Sequence, residues 1–184
     1  MARGKGTGRA SEEGIDMEPT DLERFLARAR ELGALDAKVI DPRTVATAAW
    51  VRMKCRYGCG GYNQSYCCPP RTPTPPETRQ VLDCYSRAVL IHCNEDAEPT
   101  RIVADLEREI FLSGYYRALG FGSGPCDLCQ ECAMDECTQP SRARPAMEAC
   151  GIDVFATAHA NGFEIEVVRD RSCAQNYFGL VLVE

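Results

Sequence analysis

Ala88-Val89-Leu90-Ile91 is an unbroken apolar run, followed by His92 and Cys93. A strand wetted on one face alternates apolar and polar residues, so a run with no polar position reads as a central strand buried on both faces. Its flanks read as helices. Upstream, Thr74 and Glu77 have capping-box spacing, and a helix begins near Pro76. Downstream, Pro99 opens a long helix that carries Ile102, Val103, Leu106 and Ile110 on one face and ends by Gly120. Further out, residues 37–40 read as a short strand stopped by Asp41-Pro42. Before it, Leu22, Phe25, Leu26 and Ala29 fall at i, i+3, i+4 and i+7, with Thr20 and Glu23 as a cap and Gly33 as a stop. Residues 45–53 fit helix and strand equally.

Toward the end of the chain, Pro145 opens a short helix. Ile152, Phe155, Ala156 and His159 suggest another, ended at Gly162. Phe163-Glu164-Ile165-Glu166-Val167 alternates apolar and acidic, the pattern of a half-buried strand. Residues 179–183 form a final apolar strand. The expected fold is α/β (α+β): a small sheet of about four strands flanked by helices. Two Cys-rich loops, 55–76 and 122–143, interrupt it, both placed at one end. Residues 1–18, rich in Gly and charge, read as a flexible tail, and 19–184 as a single metal-binding domain.

The 184 residues are 45% hydrophobic and 26% charged, with a net charge of −6, a balance that excludes a mostly disordered chain. An acidic chain is a poor match for nucleic acid, and no apolar run approaches the ~20 residues of a membrane helix. Neither nucleic acid nor membrane is therefore an expected partner. Twelve residues are Cys and only two are His. Arg3, Lys5 and Arg9 are followed by no apolar stretch, so a signal peptide is not expected. The expectation is a reducing cytoplasm, where thiols serve as ligands in preference to disulfides.

The second loop reads Cys126-x2-Cys129-x2-Cys132-x4-Cys137. Thiolates at repeated x2 steps wrap a [4Fe–4S] cubane with backbone N–H groups aimed at its sulfurs. Zinc sites more often use two separate C-x2-C knuckles. The fourth ligand is open between Cys137 and Cys150. The first loop holds Cys55, Cys59, Cys67 and Cys68, then Pro69-Pro70. Its C-x3-C start matches radical-SAM loops, but the third thiol comes too late and the chain is too short for their barrel. Gly58, Gly60 and Gly61 let backbone approach a bulky group closely. A second cluster on Cys55, Cys59 and either Cys67 or Cys68 follows, with Cys93, Cys84 or Cys137 as possible fourth ligands.

Lys54-Cys55, Cys59, Cys68-Pro69-Pro70, Gly124-Pro125-Cys126 and its x2-x2-x4 series, Arg144-Pro145-Ala146-Met147-Glu148-Ala149-Cys150-Gly151-Ile152-Asp153-Val154 and Gln175-Asn176-Tyr177-Phe178-Gly179-Leu180 occur in that order. Over roughly residues 35–184 the chain resembles a prokaryotic family of predicted metal-binding proteins of unknown function. The resemblance implies a cysteine-held metal and no particular reaction. Members usually carry another residue at the position of Cys67, which favours Cys68 as a ligand.

Lys54 and Arg144 are candidates for contacting the cofactor and compensating its charge, as are Arg56 and Arg142. His92, at a strand end, is a candidate acid or ligand. His159 reads as a core histidine, Cys84 and Cys173 as buried thiols, and Tyr62, Tyr66, Tyr115 and Tyr116 as packing residues. Gly120 to Gly124 follows no expected strand, so its glycines are no dinucleotide fingerprint. The expected function is a cytoplasmic protein with two [4Fe–4S] clusters that transfers electrons or serves a reductase, facing a redox partner protein or a small-molecule substrate. If one cluster has only three cysteine ligands, its open iron would make the protein an enzyme. The alternative is a zinc-stabilised interaction module. Metal delivery is a third reading, resting on the thiol count alone.

Overall fold

A computed structural model describes residues 20–170 and 172–184. The expected tail, 1–18, and the capping side chain of Thr20 lie outside what is described. The chain runs α1 (Thr20–Glu31), β1 (Asp36–Ile40), a 3-10 turn (Pro42–Thr44), α2 (Ala49–Gly58), α3 (Pro75–Leu82), β2 (Ala88–Cys93), α4 (Pro99–Leu112), β3 (Leu119–Phe121), a second 3-10 turn (Glu148–Cys150), α5 (Val154–Ala160) and β4 (Tyr177–Leu182). The described residues form a mixed αβ fold with five helices and one four-stranded antiparallel sheet, ordered β1-β2-β4-β3.

β2 is central, and its two sets of side chains enter two different cores. Val89, Ile91 and Cys93 join Val181, with α1 (Leu22, Phe25, Ala29) and α4 (Ile102, Val103, Leu106, Ile110) laid across that face. Ala88 and Leu90 join Phe178, Leu180 and Leu182 on the other face, against Leu82, Met147, Cys150, Ile152, Ala158, Phe163 and Ile165. Burial on both faces is why β2 has no polar alternation. The first face is roofed by regular helices. The second is roofed largely by irregular chain, including the turn that carries Cys150.

Several elements depart from expectation. α4 ends at Leu112, and Gly114 turns the chain at φ +105°. The short β3 follows, so Gly120 and Phe121 lie in a strand after all. Residues 163–167 are not a strand. Phe163 and Ile165 are buried while Glu164 and Glu166 are exposed, so the alternation correctly marks burial. The segment pairs with no strand among the described residues: Phe163 and Ile165 pack onto a face of the sheet, not along its edge. The helix expected from Pro145 is only the turn Glu148–Cys150, ended by Gly151 at φ +78°. The ambiguous stretch resolves into α2, which carries Cys55 on a helix and not in a loop. Glu77 does cap α3, accepting from the Thr74 N–H at 2.7 Å.

The second cysteine loop is pinned at its base. Gly122 N donates to the Pro145 carbonyl at 2.8 Å, and Met147 N donates to the Gly122 carbonyl at 3.0 Å. Between these points residues 123–144 form no helix or strand.

Two strand glycines let α4 approach the sheet. A Cβ on Gly179 would sit 2.5 Å from Val103 Cγ2, and one on Gly120 would sit 2.6 Å from Glu107 Oε2. Neither position tolerates a side chain without moving α4. Gly179→Val is expected to lower unfolding free energy by about 2–3 kcal/mol. Gly58→Ala, at a helix end where an added Cβ meets nothing within 4 Å, is expected to stay within about 0.5 kcal/mol of the parent. Urea denaturation of both variants reads the contrast.

Candidate metal centres and an adjoining cavity

Irregular chain buried against a sheet must find partners for its backbone polar groups without a ladder. Arg52, on α2, supplies them. Its Nη1 lies 2.6 Å from the Ala149 carbonyl, 2.8 Å from Thr72 Oγ1 and 2.9 Å from the Pro73 carbonyl. Thr72 Oγ1 donates to the same Ala149 carbonyl at 2.5 Å, and Thr78 Oγ1 to the Cys150 carbonyl at 2.6 Å. These bonds tie α2, the exit of the first cysteine loop and the turn Glu148–Cys150 together. A second arginine joins the two loops: Arg71 Nε donates to the Met134 carbonyl at 3.0 Å and Nη1 to Asn63 Oδ1 at 2.6 Å.

The cysteines then fall into two groups. Cys55, Cys59 and Cys68 line a cavity of about 590 Å³. Cys67, Cys126, Cys129, Cys132 and Cys137 line a space of about 20 Å³. Cys67 and Cys68 are neighbours in sequence and border different spaces, Cys67 that of the second loop and Cys68 that of the first. Backbone N–H groups already address sulfur: Tyr66 N donates to Cys132 Sγ at 3.2 Å, and Gly61 N to Cys59 Sγ at 3.4 Å. A Cβ on Gly61 would sit 3.6 Å from Cys59 Sγ and 3.8 Å from Cys68 Sγ. Cys150 is fully buried and borders neither space.

Burial, with Cys126 and Cys137 close by, pushes the Cys67 thiol up to about 12. Burial alone takes Cys93 to about 11 and is the main reason that Cys150 stands at about 12. Cys55 is raised by burial and then by Cys59, and the Glu148 carboxyl is raised by burial. Thiols held protonated must release protons to become ligands, which couples metal uptake to pH.

Arg144 grips Glu107 with two bonds, 2.5 Å from Nε and 2.8 Å from Nη2, and donates to the Pro140 and Ala143 carbonyls. Its charge lies near Cys67 and Cys137. Lys54 is exposed, with its ammonium 5.0 Å from the centre of the Trp50 ring at the cavity wall. Arg56 and Arg142 are exposed. His92 Nε2 lies 2.7 Å from Asn176 Oδ1, and the ring stacks on Phe178 at 4.8 Å. His159 is not a core residue: it is exposed, with Nε2 3.1 Å from the Ile165 carbonyl, because Thr157 and Ala158 form the buried face of α5. Cys84 is exposed and Cys173 half-buried, so neither is a core thiol. Tyr115 packs inside, whereas Tyr66 and Tyr116 are exposed. Arg52 and Arg71 were not singled out from the sequence, since their partners are mostly carbonyls that no residue pattern reveals.

The donor set suits a thiophilic metal. Eight thiols flank two spaces, N–H groups point at sulfur, and Ser65 Oγ is buried two residues before Cys67 with no hydrogen-bond partner among the described residues. No group of three or more His, Cys, Asp or Glu among the described residues is arranged to hold a single ion as it stands. Binding at ~2.3 Å per sulfur therefore requires these side chains to turn inward.

Such a fold, with its thiols collected at two adjoining spaces, defines a candidate cysteine-type metal-binding protein. The chain belongs to the family described as predicted metal-binding protein (DUF2284), which it matches over residues 38–183. No curated protein and no solved structure matches it. No helix among the described residues is long and apolar enough to cross a membrane.

Arg52→Leu keeps much of the side chain's bulk but abandons the Ala149 and Pro73 carbonyls. It is expected to cost about 1–2 kcal/mol, because the Ala149 carbonyl keeps the Thr72 hydroxyl as donor and the Pro73 carbonyl is exposed. Chemical denaturation checks the loss.

Proposed function

We propose that the protein is a cytoplasmic iron–sulfur protein that binds two [4Fe–4S] clusters and moves single electrons, toward a redox partner protein or a small-molecule substrate. The observation that carries this reading is the continuous step Cys126-x2-Cys129-x2-Cys132-x4-Cys137, all four bordering one space. Cys126, Cys129, Cys132 and Cys137 would hold one cluster, with Cys67 beside them. Cys55, Cys59 and Cys68 would hold the other. A bound cluster supplies one-electron redox chemistry at a potential set by its surroundings. The chain's own contribution is to present thiolates, to donate N–H bonds to sulfur from Tyr66 and Gly61, and to place the Arg144 charge near Cys67 and Cys137.

A zinc-stabilised interaction module is the second reading. It is supported by the small size of the space among the five thiols, about 20 Å³, close to a single water-sized sphere. In that version metal removal unfolds the protein, because binding energy is folding energy.

Iron, acid-labile sulfide and zinc measured on protein purified without oxygen decide between them. The iron–sulfur reading expects brown protein with equal iron and sulfide near about eight per chain. It also expects Cys68→Ser and Cys129→Ser each to lose about half of both, from separate centres. Colourless protein with zinc and no sulfide would remove the redox function altogether.

A further inference from the structure

The cavity of about 590 Å³ is far larger than any metal centre needs. Its size falls within the ~300–1,000 Å³ typical of small-molecule sites. Much of its lining is apolar, including Trp50, Phe155, Ile165 and Val167. Trp50 is 48% exposed, Phe155 39% and Val167 68%. Large apolar side chains gathered around one concavity and left exposed, as Trp50, Phe155 and Val167 are, mark a binding surface. The segment 163–167 supports this. Its buried residues Phe163 and Ile165 anchor it under the sheet, and it forms no ladder. The pattern the sheet does not use thus serves to build a cavity wall.

Three thiols border this cavity, against five at the neighbouring space. Thiophilic metal centres take four ligands, and sites that leave one position open are those that bind substrate. Here the three sulfurs and the apolar wall border the same volume. Glu148, Asp153 and Glu166 also line it, against one lysine, Lys54. Carboxyl groups beside thiolates disfavour an anion.

We infer that the cavity is a binding site for an uncharged small molecule with a flat apolar body and one donor atom, the body against Trp50 and Phe155 and the donor directed at the metal held by Cys55, Cys59 and Cys68. The donor half rests on the metal reading above, whereas the apolar half stands on the cavity alone.

Trp50 is the chain's only tryptophan, so its fluorescence reports on the cavity directly. The probes are 4-phenylimidazole, which has a free nitrogen lone pair, and 2-phenylpyrrole, which has the same shape without one. Both are titrated at pH 8 into protein as purified without oxygen, with iron, sulfide and zinc measured on the same sample. Saturable quenching by both is expected, with 4-phenylimidazole binding at least about tenfold tighter, a nitrogen–metal bond being the only difference. Phe155→Ala is expected to weaken both by about fivefold without changing metal content, and Cys68→Ser to abolish the difference between them while leaving 2-phenylpyrrole binding unchanged. The absence of saturable quenching, or indifference to Phe155→Ala, would overturn the site. Equal affinities on metal-loaded protein would overturn the donor assignment while the metal reading stands. Protein without metal that binds both probes equally would overturn the metal reading and the donor assignment together.

Discussion

Arg52 ties together three parts of the chain that share no ladder: α2, the exit of the first cysteine loop and the turn Glu148–Cys150. Residues 59–74 and 122–147 have almost no regular structure, yet Met147 and the turn that follows join the core on one face of the sheet. Backbone without a ladder needs other partners wherever water does not reach it, as at Thr72 and Ala149. One guanidinium on α2 answers this for Thr72, Pro73 and Ala149 at once, and Thr72 and Thr78 extend it to the backbone around Cys150. The thiols of the first loop are then set from two sides: Cys55 by α2 itself, and Cys68 by a loop exit fixed four residues later.

The sheet supplies what the loops lack. β2 is sealed on both faces, and α4 lies close enough to β3 and β4 that glycines stand at 120 and 179. The result is an asymmetric molecule. One face is ordinary helix-on-sheet packing. The other is a rigid floor for chemistry carried by irregular chain, the usual division between scaffold and site.

Features written in local periodicity were legible in the sequence. The apolar run of β2, the i, i+3, i+4 faces of α1 and α4, and the Thr74–Glu77 cap all appear where the residues place them. β3 was missed because three residues with a glycine in the middle carry no period. Residues 163–167 misled because alternation records which side chains are buried, not whether a neighbouring strand exists to pair with them. The cysteine spacing identified the second group, but the partition of Cys67 from Cys68 was illegible: adjacent side chains in a loop take directions set by contacts far along the chain, such as Tyr66 N to Cys132. Arg144 shows the same limit from the other side. A cation beside a cysteine loop invites a cofactor role, yet its strongest partner is Glu107 on α4.

The pinned base of the second cysteine loop separates that loop from its scaffold. Two hydrogen bonds at Gly122 close it, so the chain enters and leaves at nearly one point. A flexible closed loop becomes only slowly more costly with length, about 0.6 kcal/mol for each doubling. Added length between 122 and 145 is therefore tolerated cheaply, provided the insertion spares the points where Tyr66 and Arg71 meet Cys132 and Met134. Slack is permitted in this ring, but only between its rivets.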